Sequence, residues 1–333
     1  MIRKYFSVIL ITFCLCHNEC IAQTRNENNS LKLIATIPLP NVSGRIDHLA
    51  FDAEHQLVFV AALGNNTVEV VDMMGKKVIH TIKNLDEPQG VLFIAENNSL
   101  IVANGGNGEC DVFDAVSFQK IKTLKLSGDA DNVRYDSTGK RIYIGYGNGG
   151  IAIIDAISFK LIADIRLSGH PESFQLDNSA KKIYVNVPDG KKIEIIDLEK
   201  NSVTDQWQMT EASSNFPMSL DEANHRLFIG CRHPSKLVVI DTRSGKLVTS
   251  IVINSDVDDV FYDKTSKRIY LSCGGGSVEI IKQTDANTYS ANGNVSSCSG
   301  ARTSLFIAEQ NLLIVASPSG LKRNASLLIY NSK

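Results

Sequence analysis

Arg141-Ile142-Tyr143-Ile144, followed twelve residues after Tyr143 by Asp155 at the end of the apolar run Ile151-Ala152-Ile153-Ile154, is the stretch from which the fold is read. The same short motif recurs as Leu57-Val58-Phe59-Val60, Lys182-Ile183-Tyr184-Val185, Arg226-Leu227-Phe228-Ile229 and Arg268-Ile269-Tyr270-Leu271. Looser copies are Leu100-Ile101-Val102-Ala103 and Leu312-Leu313-Ile314-Val315. Taking Phe59, Val102, Tyr143, Tyr184, Phe228, Tyr270 and Ile314 as marks, the steps are 43, 41, 41, 44, 42 and 44 residues. The aspartate recurs too, as Asp72, Asp114, Asp155, Asp197 and Asp241. A fixed period of about 42 residues is the signature of a repeat architecture, and seven copies fill the chain.

Each copy reads as strands. β-branched and aromatic residues alternate with polar ones for four to six positions, and Gly, Asn, Asp and Ser clusters separate the runs, as in Asp136-Ser137-Thr138-Gly139 and Ser244-Gly245. No segment carries a capped helical period long enough for βαβ crossovers. Four strands per copy is the size of one β-propeller blade. The expectation is therefore an all-β, seven-bladed β-propeller with four-stranded blades. Leu31-Lys32-Leu33-Ile34-Ala35-Thr36-Ile37 matches the last strand of other copies, and the final copy, ending near Tyr330, lacks one. An open ring would leave an exposed edge, so the N-terminal strand should complete the seventh blade.

Composition narrows the class. Of 333 residues, 43% are hydrophobic and 21% charged, which is enough for a packed core. The 34 Lys and Arg against 36 Asp and Glu argue against nucleic acid or a polybasic membrane surface as partner. Residues 1–22 read as a cleaved signal peptide: Arg3 and Lys4, an apolar run from Tyr5 to Cys16, then Cys20-Ile21-Ala22 before Gln23. Twelve residues reach about 18 Å as a helix, short of a bilayer core of about 30 Å. Residues 23–30 are then a short tail and 31–333 one propeller domain, in a periplasmic or secreted monomer without a membrane span. Cys110, Cys231, Cys273 and Cys298 remain after cleavage. Cys231 and Cys273 hold matching places in neighbouring copies, where two buried thiols are expected unless they pair.

With the copies aligned, a family resemblance emerges. The blade starts Arg45-Ile46-Asp47-His48-Leu49-Ala50, Asp129-Ala130-Asp131-Asn132-Val133-Arg134-Tyr135-Asp136 and Gly169-His170-Pro171-Glu172-Ser173-Phe174 resemble an exported bacterial branch of the YncE-like family of YVTN-type propellers. So do Asn215-Phe216-Pro217-Met218, Asp256-Val257-Asp258-Asp259 and Gly300-Ala301-Arg302-Thr303-Ser304. The resemblance covers about residues 31–331, although the tetrapeptide Tyr-Val-Thr-Asn is itself absent. It implies a seven-bladed ring and brings no established activity. WD40 repeats carry a Trp-Asp pair per blade, whereas this chain has one tryptophan, Trp207, with no Asp after it.

Blade symmetry places equivalent residues in rings around the central channel. One ring is His48, Gly90, Asn132, Ser173, Pro217, Asp259 and Thr303; the ring one residue earlier is Asp47, Gln89, Asp131, Glu172, Phe216, Asp258 and Arg302. Five carboxylates converge there, with His48, His170, Arg134 and Arg302 nearby. The channel mouth is thus the candidate site, with Asp47, His48, Gln89, Asp131, Asn132, His170, Glu172, Asn215, Asp258, Asp259 and Arg302 as ligand-binding residues. It is expected to take a small molecule, an ion or a protein partner without catalysis. The alternative is a hydrolase of lactones or related esters in which Asp47, Asp131, Glu172 and Asp258 hold Ca²⁺ or Mg²⁺, since hard cations want several converging oxygens. A solvated acidic funnel would have the same composition. Gly145-Tyr146-Gly147-Asn148-Gly149-Gly150 lies between strands, with no helix to make it a dinucleotide loop. Arg134 is expected to be buried and paired with Glu172 of the adjoining blade, or failing that with Asp131.

Overall fold

A computed structural model describes residues 31–333, so the expected signal peptide and tail, residues 1–30, lie outside the described residues. The chain forms seven antiparallel sheets of four strands each. Blade 3 shows the pattern, with strands Val133–Asp136, Arg141–Tyr146, Gly150–Asp155 and Leu161–Arg166 in simple up-and-down order. The quoted motif is the second strand, and its apolar residues face both neighbouring blades. Phe59, Val102, Tyr143, Tyr184, Phe228, Tyr270 and Ile314 are at most 1% exposed. Seven hydrophobic clusters fill the seven interfaces between blades, so the core is a ring of seams. Burial at these marks explains why the sequence repeats there most strictly.

Lys32–Pro38 pairs antiparallel with Ser326–Asn331, with Ile37 opposite Leu327 and Pro38 opposite Ser326. It is the outer strand of blade 7, beside the last residues of the chain. Leu31 and Ile37 are 3% and 1% exposed; Ile37 packs into the seam between blades 7 and 1, and Leu31 into that between blades 6 and 7.

The recurring aspartate ends the third strand of its blade and builds the turn into the fourth. In Asp72, Asp114, Asp155, Asp197 and Asp241, Oδ1 accepts the backbone N–H groups two and three residues on. The N–H three residues on is the main reason Asp114, Asp155 and Asp197 are held below the ordinary carboxylate range. Inner strands all begin at the opposite face, where adjacent blades are stapled to one another around the channel. His48 N donates to Gln89 O at 3.3 Å, Ser173 N to Phe216 O at 3.3 Å, and Thr303 Oγ1 to Ile46 O at 3.1 Å.

Cys110, Cys231 and Cys273 are buried free thiols, and Cys298 is a partly exposed one. Cys231 and Cys273 belong to different interface clusters, and burial pushes both up to about 12. Among the described residues no helix is long and apolar enough to cross a membrane.

Candidate functional site: a two-chambered channel

The seven inner strands run side by side down the axis, so successive residues of each strand map to successive depths. At the mouth is a chamber of about 310 Å³ lined by Arg45, Gln89, Asp129, Asp131, His170, Glu172, Phe216, Arg232, Asp258 and Arg302. A waist follows, holding only about 20 Å³, between Asp47, His48, Asn132, Ser173 and Asp259 among others. Past it a second chamber opens.

The mouth is mixed in charge, not plainly acidic. Asp258 faces two guanidinium groups, Arg232 Nη2 on Oδ1 and Arg302 Nε at 3.0 Å from Oδ2. Arg302 also donates to both oxygens of Asp256, at 3.0 and 3.1 Å. Arg45 Nη2 lies 2.8 Å from Asp47 Oδ2. Arg232 is fixed further by its Nε–H, donated to Val257 O at 3.0 Å, and by stacking 4.2 Å over the Phe216 ring. Arg45 is a mouth residue that the ring positions do not mark, while Arg232 belongs to Arg232-His233-Pro234, a segment that sequence alone reads either as hydrogen-bonding over the mouth or as turn chemistry. Arg45 stands two residues before Asp47, which in an extended chain puts both on one side. Arg232 lies near the end of the second strand of blade 5, Arg226–His233.

Asp131 and Glu172 have no arginine or lysine within ion-pair distance among the described residues. Asp131 is 6% exposed; its Oδ1 lacks a hydrogen-bond partner and points to His48 Nε2 at 3.7 Å, while Oδ2 accepts from Asn132 Nδ2 at 3.2 Å. Burial raises Asp131 to about 7; His48 pulls it down and Asp47 pushes it up. Burial also raises Glu172 to about 7, with Asp258 adding and Arg232 opposing. His48 is the hub of the waist. Its imidazole lies 3.8 Å from Asp47, 3.7 Å from Asp131 and 3.9 Å from Asp259, carboxylates of blades 1, 3 and 6.

Other expected residues divide by depth. Gln89 Nε2 donates to Asp129 Oδ1 at 3.0 Å, and His170 Nδ1 meets Gly147 O at 2.6 Å, both at the mouth. His170 and His48 do not touch. Asn215 is a correction: it is fully buried, and its Nδ2 donates to Asn186 Oδ1 at 2.9 Å and Lys192 O at 3.1 Å, stapling blades 4 and 5. It belongs to the seam because a strand residue one step from the ring points sideways into the neighbouring blade.

Arg134 is the second correction. It does turn toward blade 4, but to neutral groups: Nη1 donates to Val133 O at 2.9 Å, Nη2 to Ser173 Oγ at 3.3 Å, and the guanidinium lies 5.5 Å from the Phe174 ring. Glu172 precedes by three positions the residue level with Arg134, which at about 3.3 Å per residue is roughly 10 Å up the channel. As to a metal, among the described residues no group of three or more His, Cys, Asp and Glu side chains is arranged to hold one. Of the four carboxylates expected to ligate, Asp47 and Asp258 already face arginines.

Neither a family model nor a curated protein matches the sequence. Solved structures do match. A chain in the crystal structure of the mitotic checkpoint complex superposes with a TM-score of 0.76 at 14% identity, covering 98% of this chain and 99% of that one. Hydrazine synthase of Kuenenia stuttgartiensis gives a TM-score of 0.76 at 14% identity, covering 86% and 96%. At that identity the likeness shows the fold alone.

Proposed function

We propose that the protein is an exported, non-enzymatic propeller of the YncE-like type that binds a small polar ligand bearing a cationic group at its channel mouth. One observation carries this reading: Asp131, buried, and Glu172, half-buried, are carboxyls with no arginine or lysine paired to them among the described residues, both raised to about 7, beside a chamber of about 310 Å³. Leaving such groups uncompensated is costly, and sites that do so are set aside for a charge that arrives with a ligand. An ammonium group between them would draw both into the ionised form and release protons. Arg45, Arg232 and Arg302, each already held by an aspartate, line the same chamber and fit polar or anionic parts of the same molecule. The repeat pattern and the N-terminal residues 1–22 support export and the family resemblance.

Titration calorimetry with a panel of amino sugars, amino acids and polyamines near neutral pH tests this reading, run in two buffers of different ionisation enthalpy. Binding is expected with proton release, and Glu172→Gln should weaken it by about tenfold or more. Binding without proton release, or undiminished in Glu172→Gln, would refute the assignment. Stabilisation by Ca²⁺ or Mg²⁺ that Glu172→Gln abolishes would move the case to the metal-dependent hydrolase.

A further inference from the structure

The second chamber, of about 280 Å³ on the far side of the waist, differs in chemistry from the mouth. Arg134 stands in its wall, at the repeat position shared with Gln175, Ser219, Phe261 and Leu305, all neutral. A guanidinium stays charged and has five N–H donors. Two of these are used on Val133 O and the Ser173 hydroxyl, and the ring of Phe174 supplies a third neutral neighbour. Among the described residues no carboxylate forms an ion pair with it. A full charge thus lines a cavity with Asp259 and Asp131 acting on it only from beyond ion-pair distance, and burial disfavours that charge.

Two other ionisable groups face the chamber, His48 and Asp259. Asp259 is committed elsewhere: Oδ2 accepts the Ser304 N–H at 2.7 Å, and Oδ1 faces His48 at 3.9 Å. Burial also pushes Asp259 well above the ordinary carboxylate range, which weakens its claim on Arg134. Across the chamber from the arginine stand the half-buried apolar side chains of Phe261 and Leu305. Ligand cavities of this kind pair an apolar wall with a few placed polar groups.

We infer that this chamber is a second binding site, for a small organic carboxylate with an apolar body: the carboxylate on Arg134 and the Ser173 hydroxyl, the body against Phe261 and Leu305. One guanidinium balances one negative charge and accepts a planar carboxylate in two parallel N–H···O bonds. A phosphate dianion would call for further cations that the chamber lacks. The site shares the waist with the mouth and none of its arginines.

Calorimetry at neutral pH with 3-phenylpropionate and hexanoate tests the inference, with acetate, hexanamide and inorganic phosphate as controls. 3-Phenylpropionate is expected to bind with a Kd of about 1 mM or tighter, and the controls at least about tenfold more weakly. Arg134→Gln should weaken binding about tenfold or more, and Arg232→Gln at the mouth should leave it unchanged. Ser219→Phe fills the chamber while keeping Arg134, and should also abolish binding. It carries the test if Arg134→Gln does not fold. No binding of either carboxylate, equal affinity in Arg134→Gln and Ser219→Phe, or phosphate binding as tightly as 3-phenylpropionate would overturn the proposal. Loss in Arg232→Gln alone would put the carboxylate at the mouth and overturn it too. Because this test reads Arg134 and the mouth test reads Glu172, either site can fail without the other.

Discussion

Gly90 occupies the ring position that His48 and Asn132 hold in blades 1 and 3, and the backbone explains why. A Cβ there would lie 1.8 Å from Asp131 O, so blade 2 approaches blade 3 more closely than any side chain permits. Gly90→Ala must push the Asp131 backbone aside, at about 1–3 kcal/mol by the usual cost of overpacking. It should also disturb the waist; an unchanged urea midpoint would show that the approach relaxes freely. Arg226 is the opposite kind of residue, a long side chain 5% exposed. From blade 5 its Nε donates to Ala286 O at 2.7 Å and its Nη2 to Asn287 Oδ1 at 2.7 Å, both in blade 6, while Nη1 pairs with Asp241. Burial alone would raise Asp241, but the backbone N–H groups of Ser244 and Arg243, the Ser244 hydroxyl and Arg226 hold it at about 2. Arg226→Ala leaves Asp241 with Arg243 and its turn N–H groups but cuts both links to blade 6, and should cost about 1.5–3 kcal/mol, read by chemical denaturation. A loss under about 1 kcal/mol would mean that water replaces all three contacts.

At the scale of the strand, what the sequence makes legible is whatever repeats. Tyr143 and its six counterparts announce themselves because each must fill an inter-blade seam, and the edge strand Lys32–Pro38 because its partner copy ends one strand short. The rings of channel residues follow from the same alignment, and Asp47, Asp131, Glu172 and Asp258 do meet there. Depth along the channel is not legible in this way. Alignment sets Arg134 beside blade 4 but says nothing of how far a long side chain reaches up or down the axis, so its partner comes out as Ser173 instead of Glu172. Arg45 and Arg232 do not repeat, and the alignment says nothing of where their side chains reach: Arg45 folds onto Asp47 of its own blade, and Arg232, near the end of a second strand, onto Asp258 of the next. The edge strand itself is testable. Deleting residues 31–37 removes two fully buried side chains, at about 1.5–3 kcal/mol each, together with their ladder to Ser326–Asn331. The melting temperature should fall by about 10 °C or more. A truncated protein that melts with the parent would mean that this pairing does not hold blade 7 closed.

Across the whole molecule, two populations of carboxylates sit at opposite ends of the blades with opposite shifts. Asp114, Asp155, Asp197 and Asp241, at the turns, are held below their ordinary range in the folded state. Their contribution is present above the unfolded value of about 4 and is lost as pH falls through the folded values. Asp131 and Glu172, at the channel, are raised to about 7. The folded protein keeps their protons where the unfolded chain has released them. Their contribution is therefore complete below about pH 4 and is lost as pH rises through about 7. Together the two sets place the maximum of stability on the acid side of neutrality, between the two windows, with a decline toward alkaline pH on the order of a few kcal/mol. Asp47 and Asp258 crowd the same waist and sharpen that decline, while His48, Arg45 and Arg232 oppose it. Melting temperatures measured from about pH 5 to about pH 8 should fall steadily in the parent protein. In the double variant Asp131→Asn, Glu172→Gln, which has no proton to lose at either position, the curve should flatten and lie above the parent at the alkaline end. A parent curve already flat across that interval would show that the two carboxyls ionise without cost, and would remove the physical ground for reading the mouth as a site that waits for a cation.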